Sequence, residues 1–298
     1  FIKTFLFFYY YFFINYHFTM VGKMETTSGK TIPQYFLKRG LNHFSPTQAT
    51  TPLDVWIYKY LHCNQDKRRK MKGSSKMRCG VLAGDSVTAD ISGRVRPIFH
   101  YDGYKDWQDE KDEMQWNNDK EFLNATIEQI FLGLKDVGVK WDDKRTKVVF
   151  EYYVSYEDDR LVIPIIGRTD IQTPTALVEL KTKWSRRGTK KKDGTHSFSF
   201  PKLKDEPEET HLQQSSMYYH ATKIPTFIVQ ATAKEYKVFD IRQQNHEAAL
   251  NELIVNCMKK QEVAKLDNPE KVIQPDFSHY TWNIGNEFLN EAKELYGY

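Results

Sequence analysis

The chain has 298 residues, of which 40% are hydrophobic and 28% charged, and its mean hydropathy is −0.65. This composition is typical of a soluble globular protein with one large or two ordinary domains, and it excludes disordered, collagen-like and polytopic membrane proteins. The three cysteines, Cys63, Cys79 and Cys257, are widely spaced, which excludes a disulfide framework or a four-thiolate metal site and favours a reducing compartment. The net charge of +4 indicates a polyanionic ligand only if the basic residues are clustered.

The first nineteen residues differ from the rest, because 11 of them are aromatic. Their run without strongly polar groups covers residues 5–14, which is shorter than the about 20 apolar residues of a membrane-spanning helix. We expect translation to start at Met20 or Met24; a membrane anchor is the alternative. The predicted organisation is a non-native or disordered extension at 1–24, a helical region at 25–145 and a sheet-containing core at 146–298.

The helical region contains three predicted helices. Ser45 is a predicted N-cap, followed by apolar residues at spacings of three and four as far as Leu61. A basic stretch at 67–76 predicts a solvated linker, and a short helix is expected within 79–91. The acidic and aromatic segment 102–121 leads into an amphipathic helix that ends near Gly138.

The core begins with three segments rich in β-branched and aromatic residues, which predict strands at 147–156, 160–171 and 176–184. A helix at 211–221, strands at 226–232 and 236–240, and helices at 246–266 and 286–295 follow. This order predicts an α/β fold, with a central mixed β-sheet flanked by helices and an N-terminal helical region.

Asp170, Glu179 and Lys181 are the candidate catalytic residues. If residues 172–175 connect the two strands, Asp170 lies opposite Leu177, and side-chain alternation places the three charged groups on one face. Their neighbours are apolar, so unpaired carboxylates there are costly, and Mg²⁺ would offset that cost. Lys181 could orient or deprotonate a water molecule, or neutralise charge on a phosphate. A hairpin with an ordinary Glu–Lys pair is the alternative, and the tripeptide alone favours it.

Three motifs in order provide the context for these residues: G-x-x-D at 167–170, E-x-K at 179–181 and Q-x-x-x-Y at 214–218. Residues 44–47 also precede an amphipathic helix. Over about residues 40–266, the sequence resembles the RecB-like branch of the PD-(D/E)XK nuclease superfamily, and it is similar to phage-type exonucleases and the mitochondrial genome maintenance exonuclease group. The resemblance implies a restriction-endonuclease-like core at 146–298.

The resemblance implies a Mg²⁺-dependent deoxyribonuclease, with Mn²⁺ as a substitute, that acts as an exonuclease at single-stranded DNA ends. It implies these roles: Asp170, Glu179 and the carbonyl of Leu180 as metal ligands, Lys181 as the catalytic lysine, and Gln214 and Tyr218 as residues that position the metal or the strand.

Two further acids are candidates. Glu151 lies on the strand before Asp170, where relatives often carry an acid, although an exposed strand glutamate is an equally good interpretation. Relatives usually place a His or Glu in a helix after a glycine, and this sequence offers only Asp85 there. Some relatives bind an iron–sulfur cluster through four cysteines, but too few cysteines are present and we expect no cluster.

Seven basic residues lie within 181–192, around a tryptophan. Cations that track phosphates and rings that stack on bases suit a single strand, with about 1–3 kcal/mol per stacked base. A solvated loop is the alternative. The predicted DNA-binding residues are Lys183, Trp184, Arg186, Arg187, Lys190, Lys191 and Lys192.

Three other functions remain open from the sequence: an endonuclease of the same fold, a non-catalytic nucleic-acid-binding module, and an interaction protein anchored by its N-terminus. The expected partners are single-stranded DNA and replication or recombination proteins, without a membrane. The expected location is the cytoplasm of a phage-infected cell, or the mitochondrion if the protein is eukaryotic.

Overall fold

The structure is a computed structural model, which describes residues 29–71, 73–97, 109–141, 147–192 and 194–298. The predicted extension at 1–24 lies outside the described residues, as do residues 102–108 of the acidic segment. Among the described helices, none has both the length and the apolar composition needed to cross a membrane.

A five-stranded mixed sheet lies between two groups of helices, which confirms the predicted fold class. The strands are β1 Val149–Tyr156, β2 Ile165–Gln172, β3 Leu177–Thr182, β4 Arg186–Lys190, β5 His196–Ser199, β6 Thr226–Ala231 and β7 Tyr236–Asp240. The α-helices are α1 Gln34–Leu37, α2 Pro46–Thr50, α3 Leu53–Trp56, α4 Gln65–Lys70, α5 Ser75–Ile91, α6 Glu110–Asp119, α7 Leu123–Asp136, α8 Glu209–Thr222, α9 His246–Ala264 and α10 Asn286–Leu295. The other helical segments are a π-helix at Ile57–His62 and 3₁₀ turns at Lys120–Phe122, Ile241–Gln243, Pro269–Val272 and Tyr280–Trp282.

The strand order in the main sheet is β1-β2-β3-β6-β7, with β3 and β6 parallel and the other neighbours antiparallel. Helix α8 connects the two parallel strands, as a parallel pair requires. One core packs α8, α9 and the first helices against the sheet, through residues such as Trp56 and Met217. A second core packs α5 and α7 against it, through residues such as Leu82 and Val229.

The predicted register of β2 and β3 is wrong by two residues, because Ile171 lies opposite Val178 rather than Ala176. Side chains in a strand alternate with a period of two, so a shift by two residues leaves every side chain on its predicted face. Continuing the observed pairing places Asp170 opposite Glu179. The two carboxylates are therefore closer in register than the sequence indicated.

Two segments of the helical region differ from prediction. The helix expected from Ser45 to Leu61 is broken after α2, because Pro52 cannot continue it, and the chain resumes as α3 and the π-helix. The expected linker at 67–76 contains most of α4, whose N-terminus is capped by the side chain of Asn64.

The basic segment after β3 is also more ordered than a loop. Strands β4 and β5 form a separate antiparallel hairpin, with Arg187 opposite Phe198. Its base is fixed by buried polar contacts, in which Gln115 donates to the Ser185 hydroxyl at 2.8 Å and to Asp119 at 2.7 Å. We call residues 186–199 the basic hairpin.

Candidate active site

Strands β2 and β3 and helix α8 bring five of the predicted site residues together. Asp170 lies on β2, Glu179 and Lys181 lie on β3, and Gln214 and Tyr218 lie one turn apart on α8. Helix α8 approaches β2 closely at Gly167, where a Cβ atom would lie 2.6 Å from the Tyr218 ring. Glycine is therefore needed there, because a larger residue would push α8 away from the site.

Glu179 is the centre of the hydrogen-bond network, and the residue is only 3% exposed. Its Oε1 atom accepts hydrogen bonds from Lys181 Nζ and Gln214 Nε2, both at 2.8 Å. Its Oε2 atom is buried and has no hydrogen-bond partner among the described residues. A buried carboxylate oxygen without a partner is costly, so this atom marks a place where a cation or another donor would be stabilising.

Gln214 and Tyr218 hold Glu179 in place. The Gln214 amide nitrogen also donates to the Tyr218 hydroxyl at 2.8 Å, and its oxygen accepts from Lys181 at 3.2 Å. The Tyr218 hydroxyl donates in turn to the carbonyl of Arg168 at 2.8 Å. The network thus connects α8 to both strands that carry the carboxylates.

The two carboxylates lie in an environment that disfavours their negative charge. Burial and the charge of Glu179 raise the pKa of Asp170 well above its ordinary value, although Lys181 and the Leu180 amide oppose the shift. That amide donates to Asp170 Oδ2 at 2.6 Å. Burial also raises the pKa of Glu179, against the opposing effect of Lys181. One ammonium therefore does not balance two buried carboxylates.

Lys181 and Tyr218 keep their protons in this environment. Burial lowers the pKa of Lys181, but the neighbouring Glu179 and Asp170 outweigh that effect and leave the pKa above its ordinary value. Burial, with Glu179 nearby, raises the pKa of Tyr218 well above its ordinary value. The site thus contains an ammonium and a neutral phenol near pH 7.

Three of the five residues, Asp170, Glu179 and Lys181, line a cleft of about 970 Å³. Glu151 and Asp85, the two further candidate acids, also line it, yet no three His, Cys, Asp or Glu side chains in the described ranges converge as a metal-binding group. Glu151 has a φ of 52°, and the β1–β2 pairing is interrupted where it would meet Asp170. Its side chain forms an ion pair with Arg168 at 2.7 Å.

His211 lines the same cleft and was missed in the sequence. It precedes Gln214 by three residues and Tyr218 by seven, a spacing that places all three on one side of α8. Burial, and to a lesser degree the charge of Lys181, lowers the pKa of His211 to about 4, so its imidazole is neutral at pH 7. The helical spacing was the signal that could have revealed it.

The DNA-binding prediction divides into three parts. Trp184 lines the cleft but is only 4% exposed. It packs in the second core and its Nε1 donates to Thr182 at 2.9 Å, so a stacking role for its ring stays a prediction. Lys183 is paired with Glu208 at 2.8 Å on the cleft wall. The remaining cations are on the basic hairpin and its turn, and within the described part of the chain none forms an ion pair: Arg186, Arg187, Lys190, Lys191 and Lys192.

The oxygen atoms at the site suit a hard divalent cation as ligands. Asp170, Glu179 and the carbonyl of Leu180 offer oxygen atoms, and Mg²⁺ prefers oxygen ligands and is commonly held by one or two carboxylates together with substrate phosphates. The unpartnered Glu179 Oε2 and the unbalanced negative charge of the pair are the features that such a cation would relieve. The residues present therefore fit the ion that the sequence predicted.

No family model matches the chain, and no curated protein matches it. Its structure is similar to that of a candidate exonuclease from Eubacterium rectale, with a TM-score of 0.50 and 14% identity, over 78% of this chain and 84% of that one. A second solved protein, SSO0001, matches over 49% of this chain and 70% of its own with 15% identity, and its TM-score of 0.27 carries no argument. The first similarity concerns the fold: this chain shares the α/β architecture of the candidate exonuclease.

Proposed function

We propose that the chain is a divalent-cation-dependent deoxyribonuclease that degrades single-stranded DNA from its ends. The observation that carries the proposal is the buried Glu179 carboxylate, opposite Asp170 in the sheet, with one oxygen bonded to Lys181 and Gln214 and the other without a partner. An ordinary cross-strand ion pair would be solvated and would need neither the second carboxylate nor the support from α8.

In this proposal, Asp170, Glu179 and the Leu180 carbonyl hold Mg²⁺, or Mn²⁺ in its place. When bound there, such a cation would polarise a phosphate oxygen and would lower the pKa of a water molecule beside it. Lys181, as an ammonium, stabilises the negative charge that develops on the phosphate. Gln214 and Tyr218 are positioning residues, since they fix the orientation of Glu179.

The charge distribution around the cleft supports a polyanionic substrate. Lys76, Arg168 and Arg186 line the cleft, and the other cations of the basic hairpin follow Arg186 in the chain without lining it. These cations would attract the phosphates of a nucleic acid whatever its base sequence. We call Asp170, Glu179 and Lys181 the floor of the cleft. This floor, with cations on the cleft walls, suits a DNA strand whose phosphate reaches a cation bound by the carboxylates.

Two alternative functions predict different results with DNA. An endonuclease of the same fold would cut circular DNA, and a non-catalytic module would bind DNA without cutting it. The set of Asp170, Glu179, Lys181, Gln214 and Tyr218 is complete, and the last four are joined by hydrogen bonds through Glu179 and Gln214, which supports catalysis over a decayed site.

The experiment compares end-labelled linear and circular single-stranded DNA, incubated with the purified chain in Mg²⁺ or in EDTA. We expect degradation of the linear strand in Mg²⁺ only, and an intact circle. Glu179→Gln should be inactive, whereas Glu208→Gln, which alters a carboxylate on the same cleft wall, should retain activity. Cleavage of the circle would indicate an endonuclease, and binding without hydrolysis would indicate a module.

A further inference from the structure

Two large apolar side chains are exposed on the cleft wall formed by α5. Met77 is 58% exposed and Val81 is 51% exposed, and both line the cleft beside Asp170 and Glu179. They are four residues apart, so they lie next to each other on one face of the helix. A pair of exposed apolar side chains in a cleft is more informative than single exposed residues scattered over the surface.

A third exposed side chain, Tyr280, lines the same cleft from the C-terminal part of the chain and is 73% exposed. The turn that carries it is fixed, because the nearby Trp282 is buried and its Nε1 donates to Asp54 at 3.0 Å. The Tyr280 ring packs beside the His279 ring, with 4.5 Å between centroids. An aromatic ring is therefore held at the cleft although the core does not use it.

Cations lie among these apolar groups. Lys76 is the residue before Met77 on α5, and Arg186 begins the basic hairpin; both line the cleft. Cations next to apolar and aromatic faces suit a single strand, whose phosphates and unpaired bases are both accessible. A duplex keeps its bases stacked inside and offers mainly phosphates, so it could use the cations but not the apolar side chains.

We propose that Met77, Val81 and Tyr280 contact unpaired bases, and that these three residues make the cleft selective for single-stranded over duplex DNA. The Tyr280 ring is 73% exposed and so offers a larger stacking surface than Trp184, which is 4% exposed. Lys76 and Arg186 face the phosphates of the same strand. The inference rests on the proposed function, because it names the residues through which the site would select the single-stranded DNA proposed as its substrate.

The test measures binding in EDTA, so that it is independent of hydrolysis. The probes are a fluorescent oligothymidine and an abasic strand with the same number of phosphates. Tyr280→Ala should bind oligothymidine about five- to a hundredfold more weakly, the range expected for loss of one stacked base, and Met77→Ala should weaken it in the same direction. Leu132→Ala, which removes an apolar side chain that is 45% exposed on α7, is the matched control and should bind as the unaltered protein does.

Binding of the abasic strand should be the same in all four proteins. The inference is overturned if Tyr280→Ala binds oligothymidine within twofold of the unaltered protein, if it loses affinity equally for the abasic strand, or if the unaltered protein binds neither probe. It is also overturned if the variant changes only self-association in gel filtration, because the apolar residues would then serve an interface between copies. Base-dependent binding by a protein that cannot hydrolyse DNA would instead refute the proposed nuclease activity and leave this inference standing.

Discussion

The floor of the cleft and the basic hairpin are both rich in charged side chains, but these are buried or half-buried and hydrogen-bonded on the floor and free of ion pairs, among the described residues, on the hairpin. On the floor, Glu179 is buried and its contacts to Lys181 and Gln214 are short and directional. On the hairpin, Arg187 and Lys190 are on strands outside the main sheet, and neither forms an ion pair within the described residues. The floor is suited to chemistry at one phosphate, and the hairpin to attraction of many.

The difference has a physical consequence for substitutions. Buried charges interact strongly because little solvent screens them, so a change to one atom on the floor should have a large and specific effect. Exposed cations contribute in small and similar amounts, and salt weakens all of them together. Substitutions in the two regions should therefore differ in the size of their effects and in how those effects depend on salt.

The largest expected effect is on catalysis. Glu179→Gln or Asp170→Asn should reduce hydrolysis of single-stranded DNA by about a thousandfold, since a bound cation contributes several kcal/mol to stabilising the transition state. Single-turnover rates at saturating Mg²⁺ measure the loss. Activity within a few fold of the unaltered protein in either variant would refute the assignment of the pair.

Trp184→Ala tests whether this tryptophan belongs to the core. Because the ring is buried in the second core, its removal should lower the free energy of unfolding by about 3–5 kcal/mol, measured by urea denaturation. The folded fraction should bind single-stranded DNA as before. A stable variant with weakened binding would instead support a stacking role for the ring.

Asp170→Asn should stabilise the cation-free protein at neutral pH, by about 1–3 kcal/mol, because it removes one of two buried like charges. Burial and Glu179 raise the pKa of Asp170, so the folded state holds that proton more tightly than the unfolded state. The unaltered protein therefore loses stability as the pH rises above about 4, the ordinary value for aspartate, and the variant loses less.

Thermal unfolding between pH 4 and pH 8 in EDTA measures this difference. The difference in stability between Asp170→Asn and the unaltered protein should widen as the pH rises. Addition of Mg²⁺ should narrow it, because the ion stabilises only the protein that binds it. A variant that is less stable than the unaltered protein at every pH would show that the Asp170 carboxylate supports the fold in its own right.

Removing three positive charges from the basic hairpin should have the smallest effect, a change in the salt dependence of DNA binding. Replacing Arg187, Lys190 and Lys191 by alanine should flatten the slope of log K against log salt by about two units, since each contact to a single strand contributes about 0.7. Turnover at saturating DNA should not change. A matched control replaces three exposed lysines outside the hairpin: Lys135, Lys140 and Lys271. Equal slopes in the two triple variants would show that the hairpin does not contact DNA.

The sequence predicted the sheet and the position of the carboxylates, because strand patterns are local. The error of two residues in register was harmless for Asp170 and Glu179, since parity alone decides which face a side chain occupies. The last helix was predicted with both of its ends correct, Asn286–Leu295. Its apolar residues recur with a helical period and do not depend on distant partners.

The features that the sequence did not reveal depend on distant contacts. The basic hairpin has little apolar alternation, and buried contacts of Ser185 with residues about 70 positions earlier fix its base. Trp184 lies among basic residues, and packing in the second core buries it; at Gly80 on α5, a Cβ atom would lie 4.0 Å from the Trp184 Nε1. The low pKa of His211 likewise arises from burial within the folded chain.

Cation binding by the buried carboxylates can be measured by titrating the purified chain with Mn²⁺ and following the free ion by electron paramagnetic resonance. If Asp170 and Glu179 hold the cation, Mn²⁺ should bind to the unaltered protein and to Glu208→Gln, and at least about tenfold more weakly to Glu179→Gln and Asp170→Asn. Mg²⁺ should displace it. Undiminished Mn²⁺ binding in Glu179→Gln and Asp170→Asn would contradict the account.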